Sequence, residues 1–287
     1  MSDIICPQDH PDIDVYAVVG HPIAHSRSPM IHEYFAKETG QAMFYGRIDT
    51  PPETFKKVVS DFFAAGGKGL NITVPHKLLA YEMAEVHSLA AEEAQAVNTL
   101  WMQDGRLHAD NTDGLGLKND LERILGSLLQ QKKILIIGAG GAAQGVIQPL
   151  QAAGAQLSLV NRTLQKALDL KQIFPSLQVH AIDDLAKSES YDLIVNATAA
   201  GLQNNSPLQK KTLEKITHPQ TLIYDMVYGK DTQFMQDGLE LGLKVADGLG
   251  MLVEQAAAAF AIWRGIHLTS HQKQGAIQLV RQALLQS

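Results

Sequence analysis

The sequence predicts an α/β fold of two domains, because three features of the chain agree. Apolar runs that suit buried strands alternate with helical patterns from Tyr16 onwards, which is typical of a mainly parallel sheet covered by helices. Residues 132–150, KKILIIGAGGAAQGVIQPL, indicate a buried strand, a glycine-rich turn and a helix. The length of 287 residues, 45% of them hydrophobic, suits one large or two medium-sized domains with ample cores, of which we predict two.

The glycine-rich turn has the spacing Gly138-x-Gly140-x-x-Ala143 of a dinucleotide-binding fingerprint. Gly138 permits the tight turn, Gly140 lets a pyrophosphate approach the backbone, and Ala143 lets the helix pack closely on the strand. Unpaired amides at the helix start would face the phosphates. Because small residues in such a turn also serve packing alone, the motif by itself leaves a purely structural role open.

The next strand, residues 156–160, ends in Asn161-Arg162-Thr163, where an NAD enzyme carries an acidic residue that holds the ribose hydroxyls. Here Asn161 is neutral and Arg162 is a cation, with Lys166 one helical turn further along. Cations at this place favour a 2′-phosphate through charge-assisted hydrogen bonds. The sequence therefore predicts NADP rather than NAD as the cofactor.

The composition excludes several classes of protein. A net charge of −6 and a pI near 6.0, without a basic cluster, argue against nucleic-acid binding and favour a small-molecule partner. The lone Cys6 permits no intramolecular disulfide, and no signal peptide or membrane span is evident, so we expect a soluble cytoplasmic protein. No histidine has metal-ligand spacing, and residues 1–14 are predicted to form a loose tail.

The segment HSRSP, residues 25–29, predicts a helix start with Ser28 as N-cap, Pro29 as the first helical residue, and a stop at Gly40. Ser26 and Ser28 could both direct hydroxyls at a bound anion such as a carboxylate. Capping alone would explain Ser28 but not Ser26, and both interpretations remain open at this point.

Polar residues follow the predicted strands of the first half of the chain. Asn71, Thr73 and Lys77 lie at the carboxyl end of the strand in residues 68–77, where side chains line a crevice, although a lone lysine is ordinarily a surface residue. Asn98 is predicted to lie on the strand of residues 96–102, before a hairpin turn at residues 104–105. Asp113 precedes a helix, and its local sequence favours a helix-capping or Asx-turn role over a functional one.

The second half continues the alternation, with strands predicted at residues 191–195, 221–227 and 244–246 and helices at 248–265 and 270–285. Gln255 lies within the apolar stripe of the first of these helices. Since a buried amide is costly without a hydrogen bond, we expect a polar partner such as a ligand hydroxyl.

Taken in order, these motifs resemble the shikimate dehydrogenase family over nearly the full chain. The blocks that carry the resemblance are HSRSP (25–29), NITVPHK (71–77), AVNT (96–99), NTDG (111–114), GAGGAA (138–143), NRT (161–163), NAT before a glycine (196–201) and DGLGMLVEQ (247–255). Each block is weak alone, but the ordered set is specific. The resemblance implies reversible, NADP-dependent interconversion of 3-dehydroshikimate and shikimate in chorismate and aromatic amino-acid biosynthesis.

The resemblance also implies residue roles. Lys77 would be the acid/base catalyst, paired with Asp113, and Ser26 and Ser28 would hold the substrate carboxylate. The substrate's ring hydroxyls would be held, with support from Asn71, by Thr73, Asn98, Asp113, Tyr228 and Gln255. The cofactor would be lined by Gly138, Ala139, Gly140, Gly141, Ala142, Asn161, Arg162, Thr163, Lys166, Met226 and Gly248.

Hydride arrival at a carbonyl carbon leaves charge on oxygen, which a positioned ammonium can stabilise and protonate. Whether Lys77 alone or the Lys77–Asp113 pair transfers the proton stays open. The sequence departs from the family's pattern at Leu78, where an acid is frequent, at Ala199, where a serine is frequent, and at Gly229-Lys230, which replaces a proline-containing turn after Tyr228.

The predicted architecture is a Rossmann-type NADP domain, residues 113–247, and a smaller α/β substrate-binding domain, residues 1–112, which the C-terminal helices from residue 248 to 287 rejoin. We expect a monomer or a homodimer. Two alternatives remain: an NAD-dependent quinate/shikimate dehydrogenase, which Arg162 disfavours, and a non-catalytic sensor of cofactor and metabolite, which the presence of both Lys77 and Asp113 disfavours.

Overall fold

A computed structural model describes residues 7–10, 12–203 and 205–286. The chain forms two compact units, residues 1–116 with 252–287, and residues 117–251. The predicted class, two α/β domains of which one is Rossmann-like, is confirmed. The first unit contains more residues than the second, so the prediction that the substrate-binding domain is the smaller one was wrong.

A six-stranded mixed sheet forms the centre of the first unit, in the order β2-β1-β3-β5-β6-β4. Strand β1 pairs in parallel with β2 and β3, and β5 pairs antiparallel with β3 and β6. The strands are β1 Asp14–Gly20, β2 Met43–Asp49, β3 Gly69–Ile72, β4 Val86–His87, β5 Thr99–Gln103 and β6 Arg106–Asp110. The helices between them are α1 Ser28–Thr39, α2 Phe55–Ala64, α3 Lys77–Met83 and α4 Leu89–Ala94.

Both faces of strand β1 are covered, which is why the run from Val15 to Gly20 is buried without alternation. On one face Val15 and Val19 pack with Phe55 of α2. The other face of the sheet carries Tyr16 and Tyr45, against which a tryptophan of the C-terminal part packs. The apolar run that predicts this strand therefore reflects a central strand in a two-sided core.

The part of the predicted tail that the structure describes is not loose. Pro7 is buried, and the ring of His10 stacks on Phe44 of β2 with 4.2 Å between ring centroids. Phe44 of β2 thus gives this polar segment an apolar surface to pack on, which the composition of the segment does not reveal. Cys6, in the same predicted tail, lies outside the described residues.

The second unit contains a six-stranded sheet in the order β12-β11-β10-β7-β8-β9, and all of its strand pairs are parallel. The order reverses around β7, which is the switch point of a doubly wound Rossmann-type sheet. Its strands are β7 Lys133–Ile137, β8 Gln156–Val160, β9 Gln178–His180, β10 Leu193–Asn196, β11 Leu222–Asp225 and β12 Lys244–Asp247.

The remaining helices are α5 Asp113–Leu125, α6 Gly141–Ala152, α7 Leu164–Ile173, α8 Lys210–Lys215, α9 Gln233–Glu240, α10 Leu249–Arg264 and α11 Ser270–Leu285. The chain passes from the first unit to the second within α5 and returns within α10. Helix α11 has the predicted bounds and begins with a capping box formed by Thr269 and Gln272. Among the described residues, no helix has the length and apolar character needed to span a membrane.

Candidate active site

The serine pair lies at the start of helix α1 in the first unit. Arg27, not Ser28, is the N-cap, so the prediction of Ser28 as the cap was wrong: the backbone of Ser28 is already helical, and the Arg27 side chain makes no capping hydrogen bond. The Ser26 hydroxyl donates to the Ser28 hydroxyl at 3.2 Å and accepts from the Ser28 amide at 3.3 Å. Two hydroxyls and a helix start thus converge, as anion binding requires.

Strand β2 supports this serine pair with two side chains that share one face of the strand, Tyr45 and Arg47. Arg47 donates from Nε and Nη2 to the Ser26 carbonyl at 3.0 and 2.6 Å. The buried Tyr45 hydroxyl donates to Oδ1 of Asn71 at 2.7 Å. Burial raises the pKa of Tyr45 well above its ordinary value, against the opposing effects of a hydrogen bond with Ser28 and the charge of Arg47.

The Lys77 ammonium forms an ion pair with the Asp113 carboxylate, donating to Oδ2. Lys77 begins helix α3 and Asp113 begins helix α5, so the two groups meet although they lie 36 positions apart. Their side chains are 27% and 14% exposed, which leaves the pair accessible but largely desolvated. The two groups therefore meet as the sequence analysis expects, while their catalytic role stays a prediction.

Asp113 does not serve as a helix cap. Its own amide donates to Oδ1 of Asn111 at 3.1 Å, so Asn111 closes the turn that starts helix α5. The Asp113 carboxylate is then available to Lys77 through Oδ2 and to Asn98 through Oδ1, at 2.8 Å from Asn98 Nδ2. The Asp113 side chain therefore bonds to residues distant in sequence, Lys77 and Asn98, instead of capping its own helix.

Asn98 is the centre of the polar cluster and is only 2% exposed. It lies directly before β5 rather than on the strand as predicted. Besides Asp113, its Nδ2 donates to Oγ1 of Thr112 at 2.9 Å and to Oε1 of Gln255 at 3.3 Å. Its Oδ1 accepts from the Thr112 amide at 2.9 Å. Every polar atom of this amide is used, which fixes its orientation.

Gln255 is 8% exposed within the apolar stripe of helix α10, as its position predicts. Its Nε2 donates to the carbonyl of Leu252 at 2.8 Å, and its Oε1 accepts from Asn98. A ligand hydroxyl is therefore not required to satisfy this side chain, because the protein supplies a partner for each end of the amide.

Asn71 lies on strand β3, and Thr73 directly follows the strand. Asn71 Nδ2 donates to the carbonyl of Asn98 and to Oγ1 of Thr99, both at 3.2 Å, so its two hydrogens are used inside the protein. This arrangement suits the supporting role expected for Asn71. The half-buried Thr73 is anchored by its amide to the carbonyl of Val19 at 2.9 Å.

One run of hydrogen bonds connects the serine pair to the ion pair within the first unit. It passes from Ser28 through Tyr45, Asn71 and Asn98 to Asp113. An anion site, several amide and hydroxyl groups and a proton-bearing amine are therefore held in one fixed framework. Such a set can orient a polyhydroxylated acid and donate a proton to one of its oxygens.

The glycine-rich turn of the second unit connects β7 to α6. Gly138 has φ of +113°, and a Cβ there would lie 2.9 Å from Thr198 Cγ2, so glycine is required on both counts. Nothing lies within 4 Å of a Cβ built on Gly140 or Gly141. Gly140 is the N-cap of α6 without a side-chain cap, so the first amides of α6 face open space, as phosphate binding needs. Of the neighbouring alanines, Ala139 is half-buried and Ala142 is exposed.

The end of strand β8 carries the residues that are predicted to select the cofactor. Asn161 closes the turn by donating from Nδ2 to the carbonyl of Thr163 at 2.8 Å, and Thr163 is the N-cap of α7. Arg162 and Lys166 are exposed next to this helix start. The two cations are accessible to an anionic group, which fits a 2′-phosphate.

Met226, Tyr228 and Gly248 belong to the second unit. A Cβ on Gly248 would lie 2.2 Å from the Met226 carbonyl oxygen, so only glycine fits there. Half-buried Tyr228 precedes Gly229, which has φ of +73° and donates its amide to Oδ2 of Asp247 at 3.3 Å. A proline at position 229 could provide neither that φ nor that amide, which explains the departure from the family's turn.

Comparisons with known proteins agree with this geometry. Residues 18–100 match the model of the shikimate dehydrogenase substrate binding domain, residues 120–233 that of shikimate / quinate 5-dehydrogenase, and residues 248–267 that of the shikimate 5'-dehydrogenase C-terminal domain. A shikimate dehydrogenase (NADP(+)) of Cupriavidus taiwanensis is 43% identical over 266 residues, which cover 88% of this chain and 89% of the relative. The chain belongs to the shikimate dehydrogenase family.

Solved structures extend the family likeness to three dimensions. An Ael1 enzyme from Pseudomonas putida is 41% identical with a TM-score of 0.85, covering 93% of this chain and 98% of that one. The shikimate 5-dehydrogenase of Thermus thermophilus, solved with NADP(H) and shikimate, is 32% identical with a TM-score of 0.82, covering 93% and 99%. Asp113 lies between the first two stretches that match family models, so its pairing with Lys77 rests on the coordinates.

Sequence reasoning missed three contributors to the family's site in this chain: Tyr45, Arg47 and Thr112. Tyr45 and Arg47 are two positions apart on a predicted strand, so a shared face could have been inferred. Their partners come from α1 and β3, however, and no local pattern indicates which elements pack together. Thr112 lies within the NTDG block, but its contact with Asn98 requires the fold.

Proposed function

We propose that this chain is a shikimate dehydrogenase, an oxidoreductase that catalyses the reversible NADPH-dependent reduction of 3-dehydroshikimate to shikimate in chorismate and aromatic amino-acid biosynthesis. The observation that carries the proposal is the Lys77–Asp113 ion pair, held by Asn98 next to Gln255. The names of the close relatives and the shikimate and NADP(H) bound in the Thermus thermophilus structure support the same substrate and cofactor.

Substrate binding belongs to the first unit in this proposal. Ser26 and Ser28 hold the carboxylate, and Thr73, Asn98 and Gln255 orient the ring hydroxyls, with Asn71 fixing the backbone around Asn98. Tyr228 is proposed to hold a ring hydroxyl of the substrate as well.

Lys77 delivers the proton. The hydride would come from bound NADPH. The Lys77 ammonium stabilises the charge that develops on the carbonyl oxygen and donates a proton to it. Asp113 restrains the ammonium through Oδ2, while Asn98 fixes the other carboxylate oxygen. Asp113 thus orients the amine for transfer, and in the reverse direction Lys77 accepts the proton.

NADP binding belongs to the second unit. The residues present fit the cofactor, since the start of α6 is open at Gly140 and Gly141 and leaves its first amides for the pyrophosphate. Arg162 and Lys166 would bind the 2′-phosphate, with Asn161 and Thr163 shaping the turn. Gly138, Ala139, Ala142, Met226 and Gly248 line the remaining contact surface.

The test is the initial rate of NADP reduction by the purified chain with shikimate, run beside quinate and beside NAD. We expect turnover with shikimate and NADP, and at least about tenfold lower kcat/KM when either component is replaced. Preference for quinate with NAD would support the NAD-dependent quinate/shikimate alternative that one matched family name includes. Binding of both ligands without turnover would support the sensor. We further propose that the protein is cytoplasmic and is a monomer or a homodimer. Light scattering distinguishes the monomer from the homodimer by its molar mass.

A further inference from the structure

The hydroxyls of the serine pair do not balance the negative charge of the carboxylate that they are proposed to bind. Shikimate carries a carboxylate, yet Ser26 and Ser28 offer neutral hydroxyls, which orient an anion without balancing its charge. Arg47 of strand β2 is a cation that contacts this pair directly. Its Nε and Nη2 both donate to the carbonyl of Ser26, at 3.0 and 2.6 Å.

The charge of Arg47 is not consumed by this contact. Its partner is a neutral carbonyl, and Arg47 takes part in no ion pair within the part of the chain that the structure describes. Its field also reaches the floor of the site, because it lowers the pKa of the buried Tyr45, which burial raises. Tyr45 in turn contacts Ser28 and Asn71. The guanidinium of Arg47 therefore lies next to the serine pair, with its charge unpaired by any described carboxylate.

We propose that Arg47 is the electrostatic partner of the substrate carboxylate: it draws the anion to the serine pair and stabilises it there by charge. The inference rests on the proposed function, since it concerns the same substrate. Arg47 is exposed, so solvent screens its effect. The attraction between two unit charges several ångströms apart in a medium close to water changes binding by roughly three- to tenfold, and salt weakens this effect.

The experiment compares Arg47→Gln, which removes the charge, with Arg47→Lys, which keeps it but loses the paired donors. Arg106→Gln is the matched control, because Arg106 is another exposed arginine of the first unit. For each protein, KM for shikimate, KM for NADP and kcat are measured at ionic strengths from about 0.05 M to about 0.5 M. The neutral methyl ester of shikimate is assayed in parallel.

We expect Arg47→Gln to raise KM for shikimate by about three- to tenfold at low salt, with kcat and KM for NADP within about twofold of the wild-type values. Its KM for shikimate should depend less on salt, and its defect should vanish with the methyl ester. Arg47→Lys should keep most of the affinity and the salt dependence.

The inference is overturned if Arg47→Gln matches Arg106→Gln. It is also overturned if Arg47→Lys is as impaired as Arg47→Gln with unchanged salt dependence, since Arg47 would then only hold the Ser26 carbonyl. Absence of turnover in the wild-type protein would instead refute the proposed function, so the two failures are distinguishable.

Discussion

Replacing His32 with leucine should make the folded state less sensitive to acid. His32 lies in helix α1, is 0% exposed, and stacks on Tyr45 with 4.1 Å between ring centroids and 6° between ring planes. Among the residues that the structure describes, neither ring nitrogen has a hydrogen-bond partner. Desolvation lowers the pKa of His32 to about 3, against a smaller opposing effect of Asn71.

The magnitude follows from proton linkage. The unfolded chain binds a proton at this histidine below about pH 6.5, whereas the folded chain resists it down to about pH 3. His32 therefore favours the folded state fully above the unfolded value and loses that contribution as the pH falls. The loss is about 1.4 kcal/mol for each pH unit below about 6.5, or about 2 kcal/mol between about pH 7 and about pH 5.

The assay is urea denaturation of the wild type and His32→Leu at both pH values. The wild type should lose about 2 kcal/mol more unfolding free energy than the variant between about pH 7 and about pH 5. All other titrations cancel in this difference, including that of His76, whose pKa burial also lowers. Equal losses in the two proteins would refute the assignment of His32 as a buried neutral imidazole, whatever the stability of the variant at neutral pH.

Two further predictions concern the site. Asn98→Ala should lower the unfolding free energy by about 3–5 kcal/mol, since the buried Thr112 amide and Gln255 oxygen lose their partner and a small cavity forms. Urea denaturation measures this, and a loss below about 1 kcal/mol would contradict the central position of Asn98. Arg162→Gln should reduce the ratio of kcat/KM for NADP to that for NAD by about ten- to a hundredfold, as expected for one charged contact to phosphate. An unchanged ratio in steady-state assays would mean that Arg162 does not select the cofactor.

Local patterns were sufficient for the glycine-rich turn and for most of the longer strands and helices, but not for short elements such as β4, α4 and β9. The apolar run before Gly138 and the left-handed conformation at Gly138 itself are dictated by nearby residues, so one sequence indicates both. Helix α11 begins at Ser270 as predicted, because the capping box at its start is formed by two residues close in sequence, Thr269 and Gln272. The bounds of α1 shifted by one residue at Arg27, since sequence does not resolve which residue first adopts helical backbone angles.

The candidate site could be predicted only in part. Ser26, Lys77 and Asp113 were singled out through the resemblance to the family's motifs, since the local pattern alone left a capping or surface role open for each of them. The contacts of Tyr45 and Arg47 were not, because β2, α1 and β3 meet only in the folded sheet. Tyr45 in an apolar run predicts ordinary core, and the hydroxyl's role depends on what packs beside it.

The most direct measurement of the central claim is the turnover of Lys77→Met with shikimate and NADP, combined with calorimetric binding of shikimate. The Met side chain keeps the length of the lysine stem and removes the amine. We predict that kcat falls by about a hundred- to ten-thousandfold while the shikimate dissociation constant changes by less than about fivefold. A kcat within about tenfold of the wild-type value, in a variant that still binds shikimate, would contradict proton transfer by Lys77.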